Sequence, residues 1–338
     1  MKLRWGILGV ARINRALIPP LQASDRHALV GIASRERARA EAAAREWGIP
    51  RAHGSYRELL ADPEIDAVYI PLPNALHEEW TVEAVRAGKH VLCEKPLALE
   101  PAAIDRMAAA ASAAGRIVTE AFMYRHHEQT LKVKRLVDSG KIGRVRLVRG
   151  CFTFDLTREG DVRLDPALGG GSLWDVGCYP VSYARVVLGE EPVEAFGWQV
   201  LGATGIDETF AGQLHFPSGA CAQFDSGFKA PFRTEIEIVG SDGALHIGRP
   251  FKPGAREELV LRRGDQSEAI AVDGQSLYAG EVEDLADAVL LGKTPRISLA
   301  DSRANCAALV ALLESARTGR VVSLPPPPPT RTDSARAR

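Results

Sequence analysis

A chain of 338 residues with 46% hydrophobic residues can bury more than one core. Its 42 basic against 43 acidic side chains, with no basic stretch interleaved with aromatics, give no footprint for nucleic acid. The five cysteines (Cys93, Cys151, Cys178, Cys221 and Cys306) are scattered and lack C-x-x-C spacing, which excludes a disulfide framework and a zinc site. They read as small packing residues in a reducing cytoplasm. No run of 18 apolar residues occurs and Arg12 interrupts the first apolar segment, so neither a membrane span nor a secretory leader is expected.

From Leu3 to Glu120 short apolar runs alternate with longer amphipathic stretches, the pattern of βαβ units around a parallel sheet covered on both faces. Strands are predicted over residues 5–9, 29–33, 67–71, 90–93 and 117–119. Helices are predicted over 36–47 and 78–87, the latter able to turn Trp80, Val82, Ala84 and Val85 to the sheet. The first strand runs into Gly6-Ile7-Leu8-Gly9-Val10-Ala11-Arg12-Ile13, where a glycine turn at a helix N-terminus brings backbone N–H groups to a pyrophosphate. Ala11 and Asn14 stand where G-x-G-x-x-G has its second and third glycines, and an ordinary strand–turn–helix corner is the alternative reading.

Behind the second strand comes Ala33-Ser34-Arg35, where an NAD-specific site offers a carboxylate to the ribose. A hydroxyl and a guanidinium suit a 2′-phosphate instead, each charge-assisted bond being worth roughly 1.5–3 kcal/mol. The alternative is a capping serine followed by solvated Arg35, Arg37 and Arg39. The third and fourth strands open into Pro71-Leu72-Pro73-Asn74-Ala75-Leu76-His77 and Cys93-Glu94-Lys95-Pro96. Both segments leave carboxyl ends of parallel strands, the edge on which ligands bind, so Lys95 is expected to point into that crevice.

Near residue 141 the pattern changes to successive β-rich runs, 145–154, 210–216, 220–228 and 234–239, with turns such as Pro217-Ser218-Gly219. A mainly antiparallel sheet follows, with helices over 175–188, 281–291 and 299–316 expected to cover one of its faces. Within this half, Gly169-Gly170-Gly171-Ser172-Leu173-Trp174-Asp175-Val176-Gly177-Cys178-Tyr179-Pro180 places a glycine loop before a helical turn. Asp175 and Tyr179, four apart, would share one helix face; a capping Asp and a packed Tyr are the alternative. After Leu324 the five prolines and polar tail cannot bury apolar area and are expected to be disordered. The expected division is residues 1–123 for dinucleotide binding, 124–324 for substrate and oligomerisation, and 325–338 for the tail.

In combination, Asp66-Ala67-Val68-Tyr69-Ile70-Pro71-Leu72-Pro73-Asn74-Ala75-Leu76-His77, Ala87-Gly88-Lys89-His90-Val91-Leu92-Cys93-Glu94-Lys95-Pro96 and the 169–179 segment closely resemble the glucose-fructose oxidoreductase / inositol dehydrogenase / rhizopine catabolism family. The resemblance covers roughly residues 3–320. It implies an α/β chain with an N-terminal Rossmann domain and a C-terminal α+β domain on an open-faced, mainly antiparallel sheet. It also implies hydride transfer between a nicotinamide and a sugar or polyol carbon, with Lys95, Asp175 and Tyr179 as the catalytic set and a cis Lys-Pro bond. The segment Glu120-Ala121-Phe122-Met123-Tyr124-Arg125-His126-His127 is similar to the NADP-dependent aldose dehydrogenase, dihydrodiol dehydrogenase and deoxysugar ketoreductase branch, while Tyr179 departs from the inositol dehydrogenases, which carry His there.

The expected cofactor is NADP(H), with NAD(H) second. Gly9, Val10, Ala11, Arg12, Ile13, Ser34, Arg35, Leu72, Pro73, Asn74, His77, Glu94 and Lys95 are expected to line its site. The expected substrate is an aldose such as D-xylose, a ketosugar or a polyol, and the expected assembly is a homodimer or homotetramer. A Lys⁺ at 4 Å could lower the Tyr179 pKa from about 10 by as much as about 3 units, so Lys95 either poises Tyr179 or itself stabilises the alkoxide. Asp175 would orient the substrate and keep Lys95 charged. Lys95 and Tyr179 are expected to meet only on domain closure. His126 and His127 read as solvated rather than lining the mouth, and no metal is expected. Two competing readings are a redox-neutral NAD-dependent glycoside hydrolase and a non-catalytic dinucleotide or sugar sensor.

Overall fold

The computed structural model describes residues 2–325; the tail expected to be disordered falls, beyond Pro325, outside them. The first half builds a six-stranded parallel sheet from β1 (Leu3–Leu8), β2 (His27–Ala33), β3 (Arg51–His53), β4 (Ala67–Ile70), β5 (His90–Glu94) and β6 (Val118–Ala121). The strand order is β3-β2-β1-β4-β5-β6, so the direction of winding reverses between β1 and β4 and opens a crevice at their carboxyl ends. Helices α1 (Asn14–Ala23), α2 (Arg37–Trp47), α3 (Tyr56–Leu60), α4 (His77–Arg86) and α5 (Pro101–Ala114) alternate with these strands. On α4 the buried positions are His77, Thr81, Ala84 and Val85, while Trp80 is only half-buried and meets Tyr56 edge-on.

After α6 (Glu128–Asp138), a nine-stranded sheet combines β7 (Val145–Asp155), β8 (Glu194–Leu201), β9 (Asp207–His215), β10 (Cys221–Gly227), β11 (Lys229–Gly240), β12 (Ala244–Ile247), β13 (Arg256–Arg263), β14 (Gln266–Asp273) and a short β15 (Val322–Ser323). Their order is β14-β13-β12-β11-β7-β10-β9-β8-β15, antiparallel throughout except where β10 lies parallel to β7. The helix α7 (Cys178–Leu188) packs on β7 and β10, and α9 (Leu299–Thr318) on β8.

One expectation is overturned. Helix α8 (Ala279–Leu291) does not cover this second sheet: it returns to the first, where Val282, Leu285 and Ala286 join Leu3, Trp5, Leu17 and Tyr69 in one buried cluster. Apolar positions on α8 determine that one face must be covered, and the covering surface is chosen by chain path. A second correction concerns Cys221, which is exposed on β10, unlike the four buried cysteines.

Candidate active site

The glycine turn is shaped by contacts that only a glycine permits. Gly9 has φ of 132°, and a Cβ there would stand 3.0 Å from Leu72 Cδ2. Asn14, where the glycine pattern expects a third glycine, is buried and donates from Nδ2 to Gly9 O at 2.9 Å, closing the turn from inside. No side chain caps α1, and the N–H groups of Ala11, Arg12 and Ile13 make no hydrogen bond to the described residues. Val10 also belongs to this turn, and its carbonyl accepts a long 3.5 Å contact from Arg39. The result is a set of free donors at the positive end of a helix dipole, facing the crevice.

Ser34 is buried, with Oγ accepting from Glu36 N at 3.3 Å, while Arg35 is exposed and has no hydrogen-bond partner among the described residues. Burial raises the Tyr56 pKa, and the positive charges of Arg35 and Arg39 oppose that rise. The Tyr56 hydroxyl lies 3.9 Å from where a Gly9 Cβ would stand. Arg39 and Tyr56 therefore join Ser34 and Arg35 around the turn. Sequence reading missed both: Arg39 looked like one of the three solvated arginines Arg35, Arg37 and Arg39, and Tyr56 gave no signal.

Two residues assigned to the cofactor are turned elsewhere. His77 is fully buried, with Nδ1 2.8 Å from Pro96 O and Nε2 2.8 Å from Leu72 O, so it straps the loop after β4 to the loop after β5. Burial holds its pKa down against the pull of the two carbonyls. A neutral imidazole carries one N–H, so it donates to one of these two carbonyls, and in this structure neither nitrogen is turned to the crevice. The Asn74 amide reaches across to Gly169 O at 2.9 Å, tying the crevice edge to the glycine loop of the second half. Leu72 is buried and Pro73 half-buried at the crevice edge.

Lys95 follows β5, its bond to Pro96 being cis. Its Nζ donates to Asp175 O at 2.7 Å and to Asp175 Oδ1 at 3.0 Å, and stands over the Tyr179 ring, 5.1 Å from the centroid. The other Asp175 oxygen accepts from Arg163 Nε at 2.6 Å, and Arg163 also pairs with Asp161 at 3.3 Å. Burial is the largest influence on Lys95 and works to discharge it, but the Asp175 carboxylate, with Cys178 and Glu94 adding to it, holds the ammonium above its usual range. Burial likewise opposes the Asp175 carboxylate, yet Lys95 and Arg163 together hold its pKa well below the usual carboxylate range. In this structure the three residues stand together, Lys95 of the first half meeting Asp175 and Tyr179 of the second.

Tyr179 departs from the expected shared helix face with Asp175. Asp175 lies in a π-helical turn, Leu173–Gly177, and Tyr179 only in the first turn of α7, so the pair do not sit on one regular α-helical face. The Tyr179 ring packs among Phe122, Phe152 and Phe251 with centroids 5.2–5.4 Å away, and its hydroxyl donates to Met123 Sδ at 3.6 Å. Burial and nearby anionic groups push its pKa well up rather than down. Lys95 lies against the ring face, where it cannot offset that burial at the oxygen.

Supports absent from the sequence reading complete the site. Asp207 is buried on β9 and accepts from Ser172 Oγ and Leu173 N, both at 2.7 Å; a Cβ on Gly171 would come within 2.3 Å of its Oδ1. Burial pushes its pKa up to about 6 against those donors. Glu94 accepts from Tyr69 Oη at 2.6 Å and from Lys95 N at 3.2 Å, and burial raises its pKa. His126 and His127 are buried, not solvated, because the chain turns inward before α6; His127 Nδ1 caps that helix through Gln129 N at 3.1 Å.

Comparison with known proteins agrees with this architecture. Residues 3–122 match the family described as "Oxidoreductase family, NAD-binding Rossmann fold", and residues 130–246 match the GFO/IDH/MocA C-terminal domain. The D-xylose 1-dehydrogenase (NADP(+)) 2 of Haloferax volcanii is 42% identical over 95% of this chain and 100% of its own length. A dTDP-3,4-didehydro-2,6-dideoxy-alpha-D-glucose 3-reductase of Actinomadura kijaniata is 34% identical over 94% of this chain and 95% of its own. The solved structure of a 3-ketoreductase from Actinomadura kijaniata, in complex with NADP and TDP-benzene, superposes with a TM-score of 0.89 at 32% identity, covering 93% of this chain and 98% of that one. Glycine turn, E-K-P loop and paired sheets thus occur together in a chain that belongs to the GFO/IDH/MocA oxidoreductase family.

Proposed function

We propose that this chain is an NADP(H)-dependent oxidoreductase acting on a CH–OH carbon of a sugar or polyol, with residues 1–123 binding the dinucleotide and residues 124–324 carrying the substrate. The observation that supports it best is the Lys95 ammonium. Two of its three N–H donors are engaged by Asp175, and the third remains for a substrate oxygen on the same sheet edge as the glycine turn. The residues present fit the cofactor: free N–H groups of Ala11, Arg12 and Ile13 suit the pyrophosphate, and Ser34 with Arg35 and Arg39 suits a 2′-phosphate. When bound, the nicotinamide supplies the hydride or accepts it. Charged Lys95 donates a proton to the developing alkoxide in reduction, and in oxidation its free-amine fraction takes one from the hydroxyl. Asp175, braced by Arg163, keeps Lys95 charged and fixed, while the Tyr179 ring supplies a face on which the ammonium rests.

The experiment is nicotinamide absorbance with NADP⁺ or NAD⁺ across aldoses including D-xylose, ketosugars and polyols. Steady turnover with a neutral sugar supports the reading, and its absence across the set overturns it. Arg35→Ala should weaken NADP(H) about 10- to 100-fold more than NAD(H), since one or two charge-assisted bonds to the 2′-phosphate are lost. An unchanged ratio of the two affinities removes Arg35 from the site.

Self-association belongs to the same reading. Helix α9 covers one face of β8, and alternation turns Trp198 and Val200 to the other, where both are exposed. Pairing of these faces in a homodimer, or a homotetramer built from it, would cover them. Sedimentation at micromolar concentration should show at least a dimer; a monomer removes the proposal. The unpaired thiols suit a reducing cytoplasmic setting.

A further inference from the structure

One accessible cation beside Lys95 has no place in the chemistry described so far. Lys252 lies in the connection between β12 and β13, and its Nζ stands over the Phe152 ring, 5.7 Å from the centroid. Phe152 in turn packs against Tyr179, with centroids 5.4 Å apart, and Tyr179 carries Lys95 on its face. Two ammonium groups therefore rest on neighbouring rings of one aromatic cluster.

The connection that presents Lys252 is anchored on both sides. Phe251 is fully buried and stacks on Phe152 at 5.4 Å, Arg249 O accepts from Gln129 Nε2 at 3.1 Å, and Gly254 N donates to the Glu257 carboxylate. Lys252 itself is exposed and makes no hydrogen bond or ion pair with the described residues. Burial of its surroundings, then Lys95, push its pKa down; Asp175 opposes and Arg163 adds to the push, so its charge couples to the Lys95–Asp175–Arg163 group.

The charges nearby do not balance. Asp175 is shared by Lys95 and Arg163, and Asp161 by Arg163 and Arg158. Two carboxylates thus face four cations once Lys252 is included, and counting Glu94 as ionised still leaves one positive charge over. A neutral hydroxyl can accept from Lys252 but leaves that excess in place; an anionic oxygen removes it and forms the stronger, charge-assisted bond.

We propose that Lys252 is a specificity-determining residue that selects a sugar bearing an anionic group, a carboxylate or a phosphate, over the neutral sugar of the same skeleton. This rests on the sugar oxidoreductase reading given above and names the substrate class within it. The test compares kcat/KM for NADP⁺ reduction with a neutral aldohexose, the matching hexuronic acid and the hexose 6-phosphate, in the wild type, Lys252→Met and Lys252→Arg. One of the two acidic sugars should be preferred about 10- to 100-fold, mainly through KM, and which one identifies the anion as carboxylate or phosphate. Lys252→Met should bring the acid-to-neutral ratio close to one, and Lys252→Arg should restore most of it. Raised ionic strength should narrow the wild-type ratio. A wild-type ratio near one, or a preference that survives in Lys252→Met, overturns this inference while leaving the oxidoreductase reading intact. No NADP⁺ reduction with any of the three sugars overturns this inference, and the oxidoreductase reading falls with it only when the aldoses, ketosugars and polyols named above fail as well.

Discussion

Lys95→Met should lower sugar turnover by about 10²- to 10⁴-fold while NADP(H) binding largely persists, the loss expected when one acid–base group is removed. Methionine keeps the stem and its packing but removes the ammonium that Asp175 holds at 2.7 and 3.0 Å. Tyr179→Phe should cost far less, under about tenfold, because the Tyr179 hydroxyl is directed to Met123 Sδ and the ring that supports Lys95 is retained. The two variants separate the alternatives that the sequence leaves open. Single-turnover rates, with a deuterium isotope effect showing that hydride transfer is being observed, provide the comparison. Comparable losses in both variants, with a double variant little worse than either, would return the proton to a Lys95–Tyr179 unit; near-normal turnover in Lys95→Met would remove Lys95 altogether.

Much of this arrangement is legible in the sequence because its determinants are local. Short apolar runs between amphipathic stretches place β1, β2, β4, β5 and β6 within a few residues, and the carboxyl-end rule then brings Gly9, Ser34, Leu72 and Lys95 to one edge. Elements with little apolar signal were not legible. β3 has three residues, β13 is charged at its exposed positions, and β14 exposes mostly small or polar residues such as Ser267, Ala269 and Ala271. Long-range partners were equally hidden. Asp207 clamps a glycine loop 34 residues before it, and Arg163 lies within a charged stretch that reads as solvent-facing until the fold brings it to Asp175. His77 marks the difference between being near a site and lining it: its motif placed it at the right loop, but only the three-dimensional path shows its buried ring lying between the Pro96 and Leu72 carbonyls. Likewise Asp175 and Tyr179 were correctly placed in one segment, yet the π turn between them gives each a different direction.

Asp175→Asn should lose about 3–5 kcal/mol of stability, since removing one partner of a buried ion pair leaves its cations uncompensated, here Lys95 and Arg163. The sign of the accompanying pH effect follows from the balance at Lys95. Burial works against the ammonium and is offset by Asp175 together with Cys178 and Glu94; Asp175 is the largest of the three, so without its charge burial and Arg163 weigh more and the Lys95 pKa falls. Reduction of a ketosugar, which needs protonated Lys95, should therefore fail at lower pH than in the wild type. Oxidation, which needs the free amine, should rise at lower pH. Asp175→Glu keeps the charge and should recover part of both effects. For stability, Asp175 has a folded pKa below its unfolded value of about 3.9, so its contribution is present above that value and fades as pH falls through the folded pKa. The denaturation midpoints of wild type and Asp175→Asn should consequently differ most near neutrality and converge in strong acid. Parallel midpoints at every pH, together with an unmoved alkaline limb in the reduction rate, would show that Asp175 neither holds the Lys95 proton nor stabilises the fold through its charge.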